Sequence, residues 1–113
     1  MKVYEVDPAG PVIGDGQAVV ELIGETYGSK ADLLAIPVER LAPEFFRLSS
    51  GVAGEVLQKF VTYGCRVAIV GDIDAHVAPS SALRDFVHES NAGRHVWFVR
   101  DRAALDARLA ETT

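Results

Sequence analysis

The chain holds a single cysteine, Cys65, among 113 residues, so it closes no intramolecular disulfide and suits a reducing, cytoplasmic setting. It is also short of positive charge, with 11 Lys and Arg against 16 Asp and Glu, a formal net charge of −5. That balance supplies no basic patch for nucleic acid, and it disfavours an anionic membrane surface for the same reason. No apolar run approaches the ~20 residues that a membrane-spanning helix requires. The opening MKVYEVDPAG meets charge and a turn too early for a secretory signal. Signatures of chemistry are equally scarce. No serine lies in a G-x-S-x-G elbow, and His76, His88 and His95 follow no triad pattern. VAIVGD is not followed by a dinucleotide glycine pattern, and GETYGSK sits at a helix end, where it is no phosphate loop. No second His, Cys or Asp cluster completes metal-ligand spacing. No catalytic set, metal or cofactor is assigned.

What is present is a 49% hydrophobic, 24% charged composition, that of a globular protein read here as one domain over residues 1–113. A chain of this length buries roughly 65% of its unfolded surface, enough for an ordinary core. The organising stretch is Ser49 to Asp72, SSGVAGEVLQKFVTYGCRVAIVGD. Ala53, Val56, Leu57 and Phe60 recur at helical spacing behind a Ser49 or Ser50 cap, Gly64 stops the helix, and Arg66 to Val70 reads as a buried strand.

The other elements are placed around that unit. Residues 2–13 alternate, break at Pro8-Ala9-Gly10 and resume at Pro11-Val12-Ile13, a pattern expected to form a β-hairpin. Asp15 or Gly16 caps a helix to about Tyr27 with Val19, Leu22, Ile23 and Thr26 on one stripe. Gly24 is expected to allow close packing on the sheet, and Gly28 to end the helix. LLAIPV (33–38) is a buried strand that Pro37 ends or bulges. Glu39 to Leu48 is irregular apart from a turn opened by Pro43. Ile73 to Pro79 is a loop, and Ser80 or Ser81 caps a helix through Leu83, Phe86 and Val87 that stops at Gly93. A strand over 95–99 and a helix capped by Asp101 close the chain. The order ββαβαβαβα implies an α/β fold with a mixed, mostly parallel sheet covered by helices.

That order, with Leu48-Ser49-Ser50-Gly51-Val52 following LLAIPV, resembles the STAS domains of bacterial anti-sigma-factor antagonists. The resemblance implies a STAS-like regulatory or protein-binding module. A partner kinase would phosphorylate the second serine of the motif, here Ser50. Leu48 stands where the antagonists carry an acidic residue, and the loop before it is longer. More closely, EFFRLSSGVAGEVLQKFVTYG, AIVGD and SSALRDFVHESNAGRHVWFV resemble a bacterial family of unknown function, DUF4180, over roughly residues 30–100.

Three candidate sites follow. Ser50 and Ser49 lie at a helix N-terminus, where free N–H groups and the dipole favour an added phosphate. Beside them, Phe45 and Phe46 are expected to form a partner-docking turn if exposed, and are otherwise core with Tyr63 and Trp97. Asp72, Asp74 and His76, with Glu39, lie in loops after strand ends, the usual ligand site of α/β sheets. If extended, the D-x-D-x-H segment would place its three groups on one side. Glu39, Glu44, Asp85 and Glu89 otherwise read as a wet acidic face. The partners expected are a regulator or kinase, with a homodimer as the competing assembly.

Overall fold

The chain was described from a computed structural model covering residues 1–112. Its centre is set by two strands with apolar residues on both faces. β2 (Leu33–Pro37) and β3 (Arg66–Val70) pair in parallel from Leu33↔Arg66 to Pro37↔Val70. β1 (Val3–Glu5) and β4 (Val96–Val99) flank them, giving a parallel sheet in the order β1-β2-β3-β4.

A sheet whose spatial order equals its chain order needs a crossover at every step. Crossovers of one hand place their helices on one face. The three that serve here are α1 (Gly16–Thr26), α2 (Val52–Thr62) and α4 (Ser81–Ala92). Their buried residues, among them Val19, Leu22, Val56, Phe60 and Leu83, pack with Leu34, Ile36, Val67, Ile69 and Phe98. Leu33, Ala35, Ala68, Trp97 and Val99 point the other way. Among the described residues only the last helix, α5 (Arg102–Thr112), packs on that face, through Leu105. The α/β fold with helix-covered sheet is thus formed.

Local chemistry sets the element ends. Asp15 caps α1 by accepting from Ala18 N at 2.9 Å, Ser80 caps α4 from Leu83 N, and Asp101 caps α5 from Ala104 N. Gly64, with φ 69°, ends α2: its N–H reaches Val61 O, and Cys65 N reaches Phe60 O, the two bonds of a Schellman stop.

Four expectations are corrected. The opening hairpin does not form, and the sheet is parallel throughout. Pro8 and Pro11 have no N–H to give a ladder, and the buried Arg40 guanidinium takes the carbonyls of Asp7 and Pro11, each at 2.7 Å. Ile13 makes only a bridge to Leu41, in the parallel sense. Gly28 does not end α1: a 3-10 turn (Tyr27–Ser29) follows, and Lys30 takes the left-handed conformation, φ 54°. Gly24 packs on nothing, since a Cβ there would meet no atom within 4 Å. Residues 73–79 are not simply loop, because Asp74–Val77 form a helical turn, α3, that Asp72 initiates by accepting from Asp74 N.

Two glycines therefore respond oppositely to alanine. Gly24→Ala should raise stability by about 0.5–1 kcal/mol in urea unfolding, through helix propensity alone. Gly71→Ala should lose about 1–3 kcal/mol in the same assay, because Gly71 has φ 149° and an added Cβ would fall 2.7 Å from Val38 Cγ2.

Candidate functional site

The chain leaves β3 toward α4 on one face and leaves β4 toward α5 on the other. Neighbouring strands whose connections diverge leave a crevice at their C-terminal ends, the point where open α/β sheets bind ligands. Two clefts lie there. One, of about 210 Å³, is lined by Gly71 to Asp74, Val77, Val87 and Phe98 to Arg100. The other, of about 440 Å³, runs between Glu5, Pro8, Pro37 and Glu39 on one side and Arg100 to Arg102 on the other. Gly71 and Arg100 line both.

The charges in this crevice are paired but exposed. Arg100 meets Asp74 at 3.1 Å, with the two side chains 64% and 69% exposed. The hydrogen bond that Arg100 donates to Asp74, then the charges of Asp74, Asp72 and Asp101, hold its guanidinium above the ordinary value. An ion pair this exposed contributes little to stability and is easily exchanged. Arg102 is more firmly held, by Asp106 at 2.9 Å and Glu5 at 2.6 Å. The carboxylates of Asp72 and Asp101 accept backbone N–H bonds at the starts of α3 and α5.

Asp72 and Asp74 thus line the smaller cleft and Glu39 the larger, while His76 lines neither. The D-x-D-x-H segment turns helical at Asp74 instead of staying extended, so its alternation is lost. His76 instead stacks on Phe46, ring centres 4.2 Å apart and planes 11° from parallel. Among the described residues no group of three or more His, Cys, Asp or Glu could hold a metal ion.

Ser49 and Ser50 are exposed in a 3-10 turn (Leu48–Ser50) ahead of Gly51, the residue that caps α2. Neither serine is the cap itself, because Gly51 at φ 79° reverses the chain between them and the helix. The Ser50 hydroxyl donates to Glu44 O at 2.7 Å and accepts from Val52 N at 3.2 Å, tying the preceding loop to the helix start. Phe45 and Phe46 do not form an exposed docking turn. The 3-10 turn Pro43–Phe46 folds both rings inward, where they meet edge-on at 5.1 Å and are 0% and 7% exposed. Trp97 is core as expected, whereas Tyr63 is 52% exposed.

Two residues that shape the crevice or the fold escaped the sequence reading. Arg100 follows the apolar run VWFV directly, and that position at a strand end was its available signal. Arg40 carried none, since its partners are carbonyls of residues about thirty positions earlier. Cys65 is half-buried, and burial pushes its thiol up from the ordinary value.

Among the described residues no helix is long and apolar enough to cross a membrane. The chain belongs to the DUF4180 family of domains of unknown function, whose family model matches residues 1–109. No curated protein and no solved structure matches it.

The Cys65 shift has a definite sign. A thiol raised in the folded state contributes stability below its unfolded pKa, and that contribution fades as pH rises through the folded value. Iodoacetamide alkylation of the folded chain should therefore show a midpoint above that of the urea-unfolded chain, followed by mass spectrometry.

Proposed function

We propose that this member of the family is a binding module that holds a small polar metabolite in the crevice at the C-terminal ends of β3 and β4. The observation that carries this reading is the meeting of both clefts on Gly71 and Arg100, where the connections diverge to opposite faces. Arg100 is the recognition group. Its exposed pair with Asp74 gives way to an anionic or acceptor group on the ligand, while Asp72, Asp74 and Glu39 take donors. Amide chemical shifts of the full chain, titrated with malate, glutamate and adenosine monophosphate, test it. At least one of these should move Gly71, Asp74 and Arg100 together, and Arg100→Ala should abolish the response. Shifts confined to other regions would refute the site.

A second reading is a STAS-like regulatory module, cytoplasmic and switched by a partner kinase at Ser50, with Ser49 as the neighbouring acceptor. The exposed Ser50 hydroxyl, bonded to both Glu44 O and Val52 N, favours it. A phosphate brings about −1.5 to −2 charge and no donor, so it would break the bond to Glu44 and loosen the turn that buries Phe45 and Phe46. Those rings then become the docking surface for a protein regulator, or for a second copy of the chain. Ser50→Asp should accelerate amide hydrogen exchange over residues 43–48 by at least tenfold while leaving β3 protected. Equal exchange in the variant and the wild type would remove this reading.

A further inference from the structure

A third cleft, of about 610 Å³, lies at the opposite edge of the sheet, away from the strand-end crevice. It runs between the C-terminal end of α1, the entry to β2 and the Schellman stop of α2. Its buried lining is Ile23, Leu33 and Leu34 with Thr26, whose hydroxyl donates to Ile23 O at 3.2 Å. Tyr27 and Tyr63 stand at it 82% and 52% exposed, two aromatic rings that the core does not use. The volume is that of a site for a small organic molecule, within roughly 300–1,000 Å³.

Gly24 is the independent pointer. It lines the cleft and sits inside α1 with no positive φ, and nothing packs against the place where its side chain would be. Neither a turn nor a close approach requires glycine there, yet it weakens the helix by about 1 kcal/mol relative to alanine. Its effect is to keep the cleft open.

The charges select the occupant. The Asp32 carboxylate is engaged by Lys2 N at 2.7 Å. The Arg66 guanidinium is drawn off to Arg94 O and lies 5.0 Å from the Trp97 ring centre. Among the described residues none of Lys30, Asp32 and Arg66 makes an ion pair, so two cations stand against one carboxylate and the lining is net positive, with Lys30 its free-standing cation.

We propose that this cleft binds a flat aromatic acid, its rings against Ile23, Leu34 and the two tyrosines and its carboxylate toward Lys30. Its residues are separate from those of the strand-end crevice, so the two proposals stand or fall apart. The probe is 2-naphthoate, titrated into the full-length chain by calorimetry and amide shifts, with neutral 2-naphthylmethanol as the comparison. Wild type should bind 2-naphthoate with shifts at Ile23, Tyr27, Leu34 and Cys65, and should bind the alcohol at least fivefold more weakly. Lys30→Asn, which suits the left-handed backbone, should erase that preference. Gly24→Leu should fill the cleft and weaken 2-naphthoate at least tenfold while unfolding at no lower urea concentration than wild type. Bound 2-naphthoate should also slow iodoacetamide at Cys65. No binding at millimolar probe, shifts centred on Gly71 and Arg100, or undiminished binding by Gly24→Leu would overturn the assignment.

Discussion

The parallel pairing of β2 with β3 is the constraint on which the rest of the molecule depends. Both strands carry apolar side chains on both faces, so each face must be covered. Parallel neighbours cannot be joined by a tight turn, and each step needs a crossover. Since the strands are ordered as in the chain, all three crossover helices land on one face, and α5 is left for the other. The small side chains of Ala35 and Ala68 under that lone helix let Leu105 reach the sheet, with Trp97 filling the space beside it. The crevice between β3 and β4 follows from the same arithmetic, because it lies where the helices change sides.

The connections contribute more to the core than their irregularity suggests. Leu41, Ala42, Phe45 and Phe46 are all buried, although they lie in the segment between β2 and α2. Arg40 fixes the other side of that segment by binding carbonyls before and after Gly10, which has no side chain to obstruct the guanidinium. The Glu55 carboxylate of α2 accepts from Gly16 N at 2.5 Å, so one crossover helix supplies a partner for the open N-terminus of another. Hydrogen bonds across long sequence separations thus do the work that a hairpin ladder was expected to do.

The legible parts of the chain were those governed by neighbours in sequence. The α1 stripe of Val19, Leu22, Ile23 and Thr26 is buried as its spacing implied, and the caps at Asp15, Ser80 and Asp101 and the stop at Gly64 are in place. Pro37 ends β2 because it has no N–H to extend the ladder. The candidate site was legible only in part. Asp72, Asp74 and Glu39 do reach the strand-end clefts, but His76 turns to Phe46 once a single helical turn replaces extended chain. Phe45 and Phe46 read as core, with a docking surface as the alternative if exposed, since one turn of 3-10 helix carries no periodicity long enough to tell inside from outside.

Periodicity, capping chemistry and the proline and glycine breaks by themselves determined the α/β class, the helix stripes and most element ends, for those are short-range preferences written in adjacent residues. Tertiary structure alone decided that residues 2–13 form no hairpin, that Gly24 faces an open cleft, and that Arg100 meets Asp74 beside Gly71. Each of those outcomes is a contact or a vacancy between segments distant in the chain, and it exists only after the crossovers have chosen their faces.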